Sequence, residues 1–252
     1  MTFSDEFTEP ELDLFEAVRH PHGRWKTCYW FGWQPGGACV NAGSRDAGPK
    51  DPAIASDPAY NSLNPFSLSG GALKLRILPA NPADPRNDGK RFGFGMLTTQ
   101  ASFSQRYGYF EMRATLPGVR GTWPAFWMLP VNLKTPEEID VFENLGVDPT
   151  AVLCTAHWQD NAPASSSWAK LTGPPARPHT FGLLWTATVL VWYIDGVEVK
   201  RAANRDLHDA MYMIISGGVG GWDGSGNLPV DAARIDGATL SVDYVRAYRL
   251  AS

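Results

Sequence analysis

Three carboxylates stand close together in the run Glu138-Ile139-Asp140-Val141-Phe142-Glu143, threaded through apolar residues in a chain that is not otherwise strongly acidic. Side chains of a β-strand alternate between faces, so Glu138 and Asp140 share one face and Ile139 takes the other. A regular strand would send Glu143 to the wrong side. One extra residue at Val141-Phe142, a β-bulge, restores it to the face of Glu138, and bulges occur beside active sites where they re-aim a side chain. Acids crowded on one wall cannot all stay ionised cheaply. At least one pKa should therefore rise, which suits a group that must donate a proton near neutral pH. The stretch also supports a different element. Thr135-Pro136-Glu137-Glu138 offers a Thr cap, a proline at the first helical position and a glutamate at the third, and Ile139 and Phe142 fit helical spacing. Periodicity does not decide so short an apolar run, so the flanks must.

The flanks read as strands. Leu73 to Ile77 alternates after the Gly70-Gly71 turn; Phe94 to Thr99 follows a loop rich in Pro, Asn and Asp over residues 79–91; and Tyr107 to Thr115 alternates well from Phe110. Thr122 to Leu129 is almost wholly apolar, which predicts burial on both faces. Further strands are expected at Val152 to Trp158, Thr180 to Trp185, Val189 to Ile194, Met211 to Ser216 and Leu240 to Tyr248. Asp195-Gly196 followed by Val197-Glu198-Val199 is a hairpin signal. Residues 204–212 alone look helical. The first sixty residues are irregular and glycine-rich, as a binding rim or cover would be. Many short strands with Gly/Pro turns mean an all-β antiparallel sandwich or barrel, which weighs against a helix over residues 136–145.

A chain of 252 residues fits one domain of this class. A formal net charge of −4 without a Lys/Arg block argues against nucleic acid or an anionic membrane as partner. No apolar run approaches the ~18 residues of a membrane helix. Ten Trp, eight Tyr and twelve Phe supply either a heavy core or a surface on which flat ligands such as sugar rings stack. Cys28, Cys39 and Cys154 lack metal-ligand spacing. Cys28 and Cys39 could pair in an exported protein, and buried free thiols are an equal alternative. His20, His22, His179 and His208 read as loop residues, and no catalytic metal or other cofactor is expected. The opening Met1 to Phe7 has no secretory leader.

The run Asp5-Glu6-Phe7, Tyr107-Gly108-Tyr109-Phe110-Glu111, Trp123-Pro124-Ala125-Phe126-Trp127-Met128, the acidic strand, Trp192-Tyr193-Ile194-Asp195-Gly196, Gly220-Gly221-Trp222 and Asp243-Tyr244-Val245-Arg246 resembles, in order, glycoside hydrolase family 16, the laminarinase and lichenase relatives. The resemblance implies a jelly-roll β-sandwich of two bent antiparallel sheets with an open concave cleft. It implies a single catalytic domain over residues 1–252 that hydrolyses β-glycan chains internally with retention. On the matching motif Glu138 would be the nucleophile, Asp140 the residue that orients it, and Glu143 the general acid/base. Because Val141 and Phe142 stand between Asp140 and Glu143, the motif is similar to the laminarinase form, and β-1,3- or mixed β-1,3/1,4-glucan is the expected substrate. The stretch Trp30 to Gly37 and Asn64-Pro65-Phe66 also resemble the branch that cuts acidic bacterial exopolysaccharides. Galactan is a further option, as is a non-catalytic carbohydrate-binding protein on the same fold, although such a protein would not need both Glu138 and Glu143. Transglycosylation shares the covalent intermediate.

Trp123 and Trp127, four apart on one strand face, are either core or a stacking platform. Trp158, Trp222 and Asn64 are further candidate sugar contacts, and His157 could hydrogen-bond near Glu143. Ser216 stands where the family often has Asn, and the following glycines add backbone freedom. The family often carries a structural calcium, for which Asp243 with carbonyls near Gly71 and Glu6-Phe7 is the matching set. A monomer acting outside the cytoplasm, secreted or periplasmic with its leader absent from this chain, is expected.

Overall fold

The computed structural model describes residues 1–15, 19–27, 53–132, 137–145, 148–159, 162–220 and 232–251. Cys28, Cys39, Trp222, the stretch Trp30 to Gly37 and the helix-start residues Thr135 and Pro136 lie outside the described residues.

The chain folds as a jelly-roll β-sandwich. Its strands are β1 (Phe3–Asp5), β2 (Ala53–Ala55), β3 (Phe66–Leu68), β4 (Leu73–Arg76), β5 (Leu78–Pro79), β6 (Phe92–Phe94), β7 (Met96–Thr98), β8 (Gly108–Thr115), β9 (Thr122–Pro130), β10 (Glu138–Glu143), β11 (Ala151–His157), β12 (Ser165–Lys170), β13 (His179–Trp185), β14 (Val189–Ile194), β15 (Val197–Ala203), β16 (Met211–Val219) and β17 (Thr239–Tyr248). Among the described residues, two single-turn α-helices, α1 (Pro58–Asn61) and α2 (Ala232–Ile235), and a 3-10 turn at Pro85–Asn87 complete it. One sheet runs β12-β11-β10-β9-β16-β7; the second runs β15-β14-β13-β8-β17-β4-β3, with β1 also paired to β17.

Local sequence explains the regular parts. Strand β8 buries every second residue, as alternation requires of a strand with one face on the core. The β14–β15 hairpin turns on Asp195 and Gly196, both at positive φ (50° and 78°), which selects Gly and Asp there. The main core fills the space between the sheets. Phe126 and Met128 of β9, Ile139 and Phe142 of β10, and Val152, Cys154 and Ala156 of β11 meet Phe110, Met112, Phe181, Leu183 and Trp192 of the second sheet. Phe142 packs on Phe181 at 4.0 Å between ring centroids, which seats the acidic strand on the opposite sheet.

A third, three-stranded sheet, β2-β6-β5, with a parallel β2–β6 pair, goes beyond the two expected sheets. Its Ala53, Ala55, Phe92 and Phe94 pack on Leu129, Tyr212 and Ile214 in a second apolar cluster. Along β16, Met211, Met213 and Ile215 belong to the main core while Tyr212 and Ile214 belong to the second cluster. The small sheet therefore covers the β16 end of the face that the six-stranded sheet turns away from the main core.

Several local expectations are corrected. Residues 204–210 are bends and irregular chain leading into β16, where Asn204 ties its side chain to Thr186 O and Leu207 O rather than starting a helix. His179 is a buried strand residue, with Nδ1 2.8 Å from Asp195 Oδ2 and Nε2 3.1 Å from Pro174 O. Strand β12 and the small sheet were not expected. Among the described residues no helix is long and apolar enough to cross a membrane.

Candidate active site

Residues 138–143 form a strand, not a helix, and the strand carries the bulge. Against β11 the pairs run Glu138–His157, Ile139–Ala156 and Asp140–Thr155, then jump to Glu143–Leu153; against β9, Asp140–Trp127 is followed by Phe142–Phe126. The extra residue is Val141. Ile139, Val141 and Phe142 are buried in the main core, whereas Glu138 and Glu143 are half-buried and Asp140 is 2% exposed. Cross-strand partners share a face. The bulge thus puts all three acids on the face turned away from the main core.

The site is held from both sides. On the carboxylate face, Trp123 Nε1 donates to Glu143 Oε1 at 3.0 Å and His157 Nε2 lies 3.2 Å from Asp140 Oδ2. From the core side, Trp192 of β14 donates its indole N–H to the Asp140 backbone carbonyl at 2.8 Å. A bulge interrupts the ladder, and a buried carbonyl left without a donor costs about 1–3 kcal/mol, so Trp192 stabilises the kink that aims Glu143. Gly218 makes a second accommodation. A Cβ there would sit 2.9 Å from Trp123 O, so the glycine permits close backbone approach beside the Trp123 position rather than adding freedom.

Burial pushes the Glu143 carboxyl up to about 8, and the Asp140 charge adds to the rise; the Trp123 N–H, which favours the ionised form, offsets part of it. Glu143 is therefore protonated at neutral pH and can act as an acid. Below the sheet, Lys200 of β15 donates to Cys154 O at 2.7 Å and to Ser165 O, with its ammonium 4.3 Å from the Trp192 ring centroid. Burial lowers its pKa to about 8. It clasps β11 and β12 to the other sheet. Glu138, Asp140 and His157 each offer a ligand atom within 4.8 Å of one another, a set of oxygen and nitrogen donors that a divalent cation could also use.

Of the expected residues, the register brings together Glu138, Asp140, Glu143, His157, Trp123 and Trp127. Trp127, opposite Asp140, is half-buried against the second apolar cluster. Ser216 pairs with Ala125, which pairs with Glu143, so it lies on the same face two strands away. Trp158 is corrected to a core residue: it is 3% exposed within the main cluster, so its faces are taken by packing. Asn64 is exposed just before β3, at the far edge of the other sheet, where its Oδ1 accepts from Phe66 N at 3.1 Å; it shapes a turn there. Of the expected calcium set, the Asp243 carboxylate is bonded by the Arg113 guanidinium, with which a cation there would have to compete. The backbone carbonyls of the set are not touched by the neighbouring pair between the Glu6 side chain and Arg246, at 2.7 and 2.8 Å.

The role of Trp192 at the bulge and the strand that carries Trp168 were missed. Trp192 reads in sequence as an ordinary buried aromatic, and only the three-dimensional register shows that its N–H reaches the bulge. Trp168 stands in a serine-rich stretch without apolar alternation, so its strand gave no signal.

Residues 88–246 match the family model described as Glycosyl hydrolases family 16. The chain is 39% identical to Endo-1,3-1,4-beta-glycanase EglC of Rhizobium meliloti (strain 1021) over 99% of its own length and 51% of EglC. It is 36% identical to Endo-1,3-1,4-beta-glycanase ExsH of the same organism, again over 99% of this chain and 51% of that one. It thus spans about half the length of these relatives. The X-ray structure of the laminarinase from Rhodothermus marinus superposes with a TM-score of 0.75 at 25% identity, covering 99% of this chain and 97% of the other. With strand, bulge and carboxylates in the same stretch that the family model spans, the chain belongs to glycosyl hydrolase family 16.

Proposed function

We propose that the chain is a retaining endo-β-glycanase that hydrolyses internal β-1,3 or mixed β-1,3/1,4 glucosidic bonds by double displacement. The observation that carries this reading is the bulge at Val141, which sets Glu143, a carboxyl with its pKa raised to about 8, on the same face as Glu138 and Asp140. The similarity to the endo-1,3-1,4-beta-glycanases EglC and ExsH supports the linkage class.

In the first step Glu143 gives its proton to the glycosidic oxygen while Glu138 attacks the anomeric carbon. Asp140, with His157 at its second oxygen, orients Glu138 across one face of the strand. Glu143, now ionised, takes a proton from the water that opens the glycosyl-enzyme ester and returns to its starting state. Two inversions leave the configuration unchanged. Retention demands carboxyls ~5–5.5 Å apart, against ~6.5–9.5 Å when water must fit between them; Glu138 and Glu143 flank Asp140 on one strand face, so the reading requires their two side chains to lean towards each other over it. The Trp123 bond strengthens as Glu143 ionises, so it favours the step in which the proton leaves.

The test is release of reducing ends from laminarin, mixed-linkage β-glucan, agarose and an acidic exopolysaccharide, with the anomeric configuration of early products read by proton NMR. Cleavage of the glucans with β-anomers first, abolished by Glu138→Gln, is expected. Cleavage of only another polymer would move the substrate, α-anomers would sink the double displacement, and binding without cleavage would favour a carbohydrate-binding protein.

A further inference from the structure

Among the described tryptophans, Trp25, Trp158, Trp185 and Trp192 are buried and Trp123 and Trp127 half-buried, whereas Trp168 on edge strand β12 is 51% exposed. Its direction is fixed by register. Trp168 pairs with Leu153, which pairs with Glu143, so the three stand in a row on one face of β12, β11 and β10. The alternation agrees: Ala169 packs towards the main core, as does its partner Val152, and Trp168 must point the other way. Ser166, opposite Thr155, lies on the same face one pleat along, next to the row that carries Asp140. The carboxylate face thus extends to the edge of the sheet as acid, half-buried leucine and bare indole, with a hydroxyl beside it.

We propose that Trp168 is a sugar-stacking platform that receives a pyranose ring of the bound β-glucan some residues away from the bond that is cut. Adjacent strands lie ~4.8 Å apart, so the indole sits about 10 Å across the sheet from Glu143, a distance a short oligosaccharide spans. An exposed indole offers a flat apolar surface to the C–H face of a pyranose, and Leu153 between it and Glu143 keeps the floor apolar. Ser166 can donate to or accept from a ring hydroxyl. Short ligands that fill only the positions around Glu138 and Glu143 do not reach it. Longer ones do, so affinity should climb with chain length and level off once the platform is covered.

The proposal takes its ligand class from the hydrolase reading but is tested by binding, which separates the two. Laminari-oligosaccharides and mixed-linkage oligosaccharides of increasing length are titrated calorimetrically into the Glu138→Gln protein and into the same protein carrying Trp168→Ala or Trp168→Phe. Trp168→Ala should weaken the long ligands by about three- to tenfold and leave the short ones unchanged, with Trp168→Phe between. Because the side chain is exposed, all variants should keep the thermal midpoint of their parent. Equal affinities at every length would overturn the platform, whatever the wild type cleaves, as would an effect confined to self-association in sedimentation, which would assign the indole to a contact between copies at the sheet edge. Length-dependent loss in a protein whose wild type releases no reducing ends would keep the platform and sink the hydrolase.

Discussion

The two large sheets treat their acids differently. On the eight-stranded sheet, Glu111 accepts from Tyr109 and Tyr244 at 3.3 and 2.8 Å, Asp243 is bonded by Arg113, and Arg246 grips Glu6 and holds its carboxyl below the usual range. Asp195, which burial alone would push up, is kept low by hydrogen bonds from Thr172, the Thr180 backbone N–H and His179. On the six-stranded sheet Glu143 has beside it an indole N–H and a second carboxylate, and its pKa rises to about 8. The same residue type is an ionised structural partner on one sheet and a proton donor on the other. The neighbours make the difference, and an acid becomes reactive here by being buried next to Asp140 rather than next to a guanidinium.

The contrast can be broken in graded ways. Glu138→Gln removes the attacking oxygen and should cost at least about a thousandfold in kcat, ~4 kcal/mol of transition-state stabilisation, in a reducing-end assay. Trp192→Phe leaves the Asp140 carbonyl without its donor; urea unfolding should show a loss of about 1–3 kcal/mol, with kcat falling as the bulge relaxes. Leu153→Lys imports the habit of the other sheet by placing a cation opposite Glu143. It should pull the basic limb of the pH–rate profile down from about 8 by about one unit, ~1.4 kcal/mol between protonation states. Stability follows the same group. Glu143 has a folded pKa above its ordinary 4.5, so its contribution is fully present below 4.5 and is lost as pH rises towards about 8; Glu143→Gln should flatten that slope in thermal scans across the window. Smallest of all, Asp243→Asn removes a partly exposed pair with Arg113 and should lower stability by about 1 kcal/mol or less, with added calcium shifting variant and wild type alike.

Much of the centre was legible in sequence. The acidic strand and its bulge follow from period-two alternation plus the need to keep Ile139 and Phe142 in the core, because any other register would bury Glu143. The hairpin at Asp195-Gly196 is equally local, since few residues adopt positive φ. What stayed hidden depends on contacts distant in sequence. Trp158 looks like a ligand-facing aromatic until the position of β11 against the opposite sheet is known. Trp192 lies 52 residues from the carbonyl that it holds. Edge strand β12 hides for another reason: Ser165, Ser166 and Ser167 remove the apolar alternation that marks a half-buried strand, and the strand forms because β11 offers it a ladder. Its one large side chain, Trp168, then reads as a loop residue. The small β2-β6-β5 sheet is likewise a matter of tertiary pairing between short segments far apart in the chain.

The central claim is that Glu143 holds its proton at neutral pH because it is buried and stands beside the Asp140 charge. Difference infrared spectroscopy in the carboxyl region, wild type minus Glu143→Gln, taken from pH 4 to 10, reads that proton directly and separates it from Lys200, whose ammonium also titrates near 8. The account predicts a protonated-carboxyl band that persists at pH 7 and disappears with a midpoint near 8. A band lost with a midpoint between about 4 and 5, the range of an unperturbed glutamate, would contradict it.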